Sequence, residues 1–161
     1  MNMKKIWIIL PLVLVSLCMI SCGDDDEGGT REDPVTTADP EGTIVANLTN
    51  DLHYINFKPY SGLLGMNSAN NLRTDQMEIV SVGNVKGLSS ITKIPENGWT
   101  NTTAAIPGYG YILRSEVKWD EASQKHLYMY VRVYVVDYMK STSGGIMGCT
   151  IKYHFWKSDS D

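Results

Sequence analysis

The chain has 161 residues, with 18 acids against 14 Lys and Arg and a net charge of −4. The acidity is lopsided: eight acids and one Arg fall within residues 24–41, leaving ten acids and eleven Lys or Arg in residues 42–161. A near-neutral stretch of about 120 residues can hold one modest core but not two, and it offers no basic patch of the kind that nucleic acid requires.

Lys4 and Lys5 open a secretion-type leader, followed by "IWIILPLVLVSLCMI" over residues 6–20. That run is short of the roughly 20 apolar residues that span a bilayer. Met19, Ile20, Ser21 and Cys22 follow the lipoprotein cleavage pattern, an aliphatic residue, a tolerant position, a small residue and then cysteine, with Met19 the one departure. Residues 1–21 therefore read as a lipoprotein signal peptide and Cys22 as its lipidation site. The alternative is an ordinary secretion signal or an N-terminal anchor helix. Acyl chains on Cys22 would partner the membrane at about 0.8 kcal/mol per buried methylene.

Asp24, Asp25, Asp26 and Glu27 follow directly. A calcium loop needs ligands spaced to wrap an ion around a turn glycine, and four adjacent acids point apart instead. With Gly28, Gly29, Pro34 and Pro40 and almost no large apolar residue, residues 22–41 cannot bury enough surface to offset chain entropy and read as a disordered tether. "CGDDDE" resembles the export signal of Bacteroides-type surface lipoproteins, which implies an outer-membrane protein facing the cell exterior.

Residues 42–161 read as a single β domain. "GTIVANL", "LHYINF" and "QMEIVSVG" have strand composition, whereas "KPYSGLLGMNSANNLRT" is broken by Gly, Asn and Ser and suggests a loop-rich excursion or a short edge strand. Downstream, three segments alternate with period two. Their odd positions run Tyr109, Tyr111, Leu113, Val117, Trp119; then Leu127, Met129, Val131, Val133, Val135, Met139; then Met147, Cys149, Ile151, Tyr153, Phe155. These predict three antiparallel strands with the odd face towards the core. Keeping both odd faces together requires paired numbers with an even sum. For the first hairpin, setting Arg114 opposite Tyr130 avoids an Arg114–Arg132 clash. For the second, Met139 opposite Met147 sets Tyr134 by Lys152 and Tyr130 by Trp156. No window holds a 3.6-residue period, so little helix is expected. Six or seven strands point to an all-β fold, a β-sandwich or a related two-layer antiparallel arrangement.

"VSVGNVKGLSSITKIPENGWTNTTAAIPGYGYILR", with the earlier "DPEGTI" and the later "YVRVYVVDYM…STSGGIMGCTIKY", resembles the Bacteroides lipoproteins grouped as domain of unknown function 5036. The resemblance implies a small surface lipoprotein and carries no catalytic residue. In "IPENGW", a Pro-initiated turn with Asn97–Gly98 delivers Trp99 to a fixed place. Such turns either anchor the core or present Trp99 and Tyr109 to a ligand.

No catalytic constellation, metal site or cofactor is expected. His53, His126 and His154 lack metal-ligand spacing, and Glu78, Glu96, Glu116, Asp120, Glu121 and Asp137 are no more carboxylates than any such chain supplies. GxSxG, P-loop and dinucleotide motifs do not occur. Cys149 reads as a small buried hydrophobe. The unusual feature is the even face: Tyr128, Tyr130, Arg132, Tyr134, Val136 and Tyr138, flanked by Lys152 and Trp156. A sandwich strand should be polar there. Either another segment or subunit covers these rings, or Trp99, Tyr128, Tyr130, Arg132, Tyr134 and Trp156 form a platform for a glycan or a host protein. The sequence therefore favours a non-enzymatic binding module; the alternatives are an interaction subunit of an envelope complex and a small hydrolase.

Overall fold

The computed structural model describes residues 39–58 and 61–158; Cys22, Asp24, Asp25, Asp26 and Glu27 lie outside them. The described residues form nine strands: β1 (Ile44–Thr49), β2 (Tyr54–Asn56), β3 (Leu63–Met66), β4 (Asn71–Asp75), β5 (Glu78–Asn84), β6 (Thr102–Ala104), β7 (Tyr109–Asp120), β8 (Lys125–Lys140) and β9 (Ile146–Ser158). They make a five-stranded sheet in the order β1-β9-β8-β7-β5 and a four-stranded sheet in the order β2-β3-β4-β6. Every pairing is antiparallel, so the fold is the expected β-sandwich.

The strand count exceeds six or seven at two places, the β3–β4 hairpin and the three-residue β6. "KPYSGLLGMNSANNLRT" contains the β3–β4 hairpin rather than a loop excursion. Its Asn and Ser residues make the turn: the Asn67 side-chain oxygen accepts from the backbone N–H of Ala69 and of Asn71, both at 3.0 Å, and Asn70 takes φ 60°. Residues 39–41, assigned to the tether, are also ordered. Asp39 lies 2.6 Å from Lys152 Nζ, and Thr43 donates its N–H and hydroxyl to the Pro40 carbonyl.

The odd face of the five-stranded sheet builds the main core. Leu113, Met129, Val131, Val133, Val135, Cys149 and Ile151 pack with Leu64, Met66 and Leu72 of the second sheet. Tyr111 is buried among them, donating its hydroxyl to the Ala104 carbonyl at 2.7 Å and accepting from Ile106 N–H at 2.9 Å. Burial pushes that hydroxyl up to about 12 and the Cys149 thiol likewise to about 12, so Cys149 is an inert filler.

The two hairpin registers hold in their centres and slip at their ends. Arg114 faces Tyr130, and Tyr134 faces Lys152, as expected. Single-residue bulges then intervene at Val117, Val136, Met147 and Trp156. Three of these, Val117, Val136 and Met147, are exposed apolar residues, because a bulged residue drops out of the pleat. Each bulge also flips the parity beyond it. Tyr138 thereby moves to the core side, where it faces Cys149 and donates to the Ala105 carbonyl. Trp119 moves the other way, to face His126 on the even side. Tyr130 faces Lys157 rather than Trp156.

Residues 85–99 form a cap over the even face. A short 3-10 turn at Leu88–Ser90 drops Leu88 and Ile91 onto Val80, Ile112 and Tyr130, making a second, smaller core. Gly110 allows the close approach, since a Cβ there would come within 2.8 Å of Ile91 Cδ1.

Candidate functional site

The cap divides the aromatic face in two. Beneath it Tyr130 is 7% exposed and Arg132 is 9% exposed, so neither is open to a ligand and the platform expected around them is closed there. Arg132 fastens the cap. Its Nη1 donates to the carbonyls of Leu88 at 3.5 Å and Ile91 at 3.3 Å, its Nη2 donates to His154 Nδ1 at 3.1 Å, and its guanidinium sits 5.1 Å from the Trp156 ring. Arg132 Nε has no hydrogen-bond partner among the described residues. A guanidinium can only donate, so His154 must accept through Nδ1 and carry its proton on Nε2. Burial and then the Arg132 charge hold His154 below the usual imidazole range. Tyr134 and Trp156 are half-buried against the same small core.

Beyond the cap the face is open. The bulge at Val117 brings Trp119, 44% exposed, against His126, with ring centroids 4.6 Å apart. His126 in turn neighbours Tyr128, at 6.3 Å between centroids. The Arg114 guanidinium lies 4.8 Å from the Tyr128 ring and 4.2 Å from the ring of Trp99. Trp99 comes from the cap's end, where Gly98 turns the chain at φ 89° and the indole N–H donates to the Pro95 carbonyl at 3.2 Å, as the sequence of that turn implies. Trp119, His126, Tyr128, Arg114 and Trp99 thus make one continuous ledge.

Each polar member of the ledge has a carboxylate beside it. Arg114 Nε donates to Glu78 Oε2 at 2.6 Å, across the β5–β7 pair. His126 Nδ1 lies 2.7 Å from Glu116 Oε1. These half-exposed pairs hold side chains in place more than they stabilise the fold, at under about 1 kcal/mol each. Next to the ledge is a cleft of about 400 Å³ lined by Thr74, Asp75, Gln76, Asn101, Glu116 and Tyr128.

Of the residues singled out from sequence, Trp99 and Tyr128 belong to the ledge, Tyr130 and Arg132 lie under the cap, and Tyr134 and Trp156 flank it. Arg114, Trp119 and His126 were missed as ledge residues, and Glu116 as the carboxylate beside His126. Arg114 and Glu116 alternate correctly with Tyr128, so cross-strand pairing would have found them. Trp119 could not be found, because the bulge that redirects it leaves no mark in the period-two pattern. His126 and His154 have separate partners: one meets Glu116 and the other Arg132. Among the described residues no group of three or more His, Cys, Asp or Glu could hold a metal ion.

Fold and site together define a two-sheet β-sandwich with one capped face and an aromatic ledge at its open end. The chain belongs to the family described as domain of unknown function DUF5036, whose model matches residues 61–161. That match spans β3 to β9, including the cap and the whole ledge. No curated protein and no solved structure matches the chain.

Proposed function

We propose that this protein is a lipid-anchored, surface-exposed, non-enzymatic binding module that takes a glycan on the ledge of Trp119, His126, Tyr128 and Trp99. The ledge itself is the observation that carries the reading. Aromatic rings offer flat apolar faces with polar edges, which match the C–H faces of a sugar ring, while neighbouring carboxylates and amides can engage its hydroxyls. The rings stand on paired strands and a pinned turn, so little ordering cost remains when a ligand arrives. The adjoining cleft, at about 400 Å³, falls in the usual size range for ligand pockets.

The anchor is supported by the leader and lipoprotein pattern ending at Cys22, and the outward-facing location by Asp24, Asp25, Asp26 and Glu27 behind it. A glycan array probed with wild type, Trp119→Ala and Tyr128→Ala tests the ledge. Wild type should give hits that both variants lose while keeping their circular dichroism; hits retained by both variants would move the site elsewhere. Cys22→Ala should release the protein from membranes, and unchanged membrane retention would refute the lipid anchor.

A further inference from the structure

The ledge cleft does not end at its own rim. Asp75 and Gln76 line it, and they also line a second cleft of about 700 Å³ whose other walls include Asn56, Lys58, Ser61 and Leu63. The two spaces meet across the turn between β4 and β5. That turn is rigid: Gln76 holds φ 57°, Thr74 Oγ1 donates to the Met77 carbonyl at 2.8 Å, and Thr74 N–H donates to the Asn101 carbonyl at 2.9 Å. A fixed ridge between two open clefts suits a ligand that bends over it, not a compact molecule filling one pocket.

Charge narrows the ligand further. Asp75, Glu78 and Glu116 line the two clefts against Lys58 and Arg114, and the Arg114 charge is already taken by Glu78. The groove therefore carries an excess of carboxylate. An acidic polymer would be repelled along it, whereas a hydroxyl-rich neutral one can donate to the carboxylates and exchange hydrogen bonds with Asn56, Gln76 and Asn101. A protein partner of ordinary size would want a larger apolar centre than these polar walls provide.

We propose that the ligand is a linear, uncharged glycan, long enough to run from the aromatic ledge over the Asp75–Gln76 turn into the second cleft. This rests on the ledge being the glycan site. The test uses the full chain in detergent and calorimetric titration with di- and hexasaccharides of neutral β-glucan, xylan and mannan, and with a hexamer of polygalacturonate as the acidic probe. In at least one neutral series the hexamer should bind tenfold or more tighter than the dimer. Asn56→Ala alters an exposed strand position and Lys58→Ala an exposed turn position, both in the second cleft and neither in the ledge cleft. Both variants should bring the hexamer down towards the dimer while leaving dimer binding unchanged. Equal affinity for dimer and hexamer, both lost in Trp119→Ala, would overturn the extended groove and leave the ledge standing. Tighter binding of the acidic hexamer than of any neutral one would overturn the charge assignment. Absence of binding by every glycan would remove the ledge reading and this inference together.

Discussion

The two faces of the five-stranded sheet are closed by different means. The odd face meets a second sheet, and its central side chains are apolar and buried except for Ser115, which donates its hydroxyl to the Ser61 carbonyl. Over its centre the even face meets the 85–99 segment, which brings Leu88 and Ile91 but also leaves backbone carbonyls facing inward. A sheet satisfies its own backbone, so its partner face can be dry; a loop cannot, and something must hydrogen-bond the carbonyls it buries. Arg132 does so here, which explains a cation set among tyrosines. Where the cap stops, the same amphipathic side chains stand open and become the ledge.

The comparison predicts unequal costs for unequal substitutions. On the sheet-covered face, Leu113→Ala removes a fully buried side chain from an interior that cannot collapse around the gap, and should cost about 2–5 kcal/mol in urea unfolding. On the capped face, Arg132→Ala takes the guanidinium donor from the Ile91 carbonyl and leaves the Leu88 carbonyl with only the Ile91 N–H, and should cost about 1–3 kcal/mol. Arg132→Met refills the space and removes a desolvated cation without stranding any carboxylate, so it should cost less than the Ala variant. If Met and Ala are equally harmful, packing contributes nothing at this position and the clasp alone holds the cap.

A smaller effect separates the faces by pH. His154 is held neutral in the folded chain, so its folded pKa lies below its unfolded value near 6.5. The stability this gives is present above pH 6.5 and is lost as pH falls through the folded value, because the unfolded chain then binds the extra proton. Acid places a second cation against Arg132 and loosens the cap first. Wild type should therefore lose stability on going below pH 6.5 more steeply than His154→Gln, with indole fluorescence of Trp99 and Trp156 reporting the cap. Identical pH profiles would show that the Arg132–His154 contact does not hold the turn.

How much of this was legible follows from where regularity ends. The alternation from Leu127 to Val135 gave the buried face directly, and one charge argument, keeping Arg114 away from Arg132, gave the central register of the first hairpin. The β3–β4 hairpin was hidden because its strands are short and its turn residues dominate the composition. The even face was correctly seen as abnormal, but its coverage was not, because a cap without regular structure has no period to detect. Bulges were the deepest loss. One inserted residue is invisible in a strand of twelve or sixteen residues, yet it decides whether Trp119 and Tyr138 look in or out. The expected lipidation pattern around Cys22 is of another kind, a linear motif read without any fold and lying outside the described residues.

The least costly substitution should be the most damaging to function. Trp119 stands near the end of the β7–β8 hairpin, beyond the cap, where its ring packs at a steep angle against that of His126. Replacing it with Ala removes that contact and some half-exposed area, which amounts to no more than about 1 kcal/mol of stability. The same change removes the outermost flat face of the ledge, and with it the apolar surface against which a sugar would stack. Val117→Ala, at the bulge two residues before it and also exposed, takes off apolar area without touching the ledge and is the matched control. Trp119→Ala should keep its melting temperature within a few degrees of Val117→Ala while losing glycan binding that Val117→Ala retains. Equal binding by the two variants would mean that the bulge turns Trp119 outward for a reason other than recognition, and the site would then have to lie nearer Trp99.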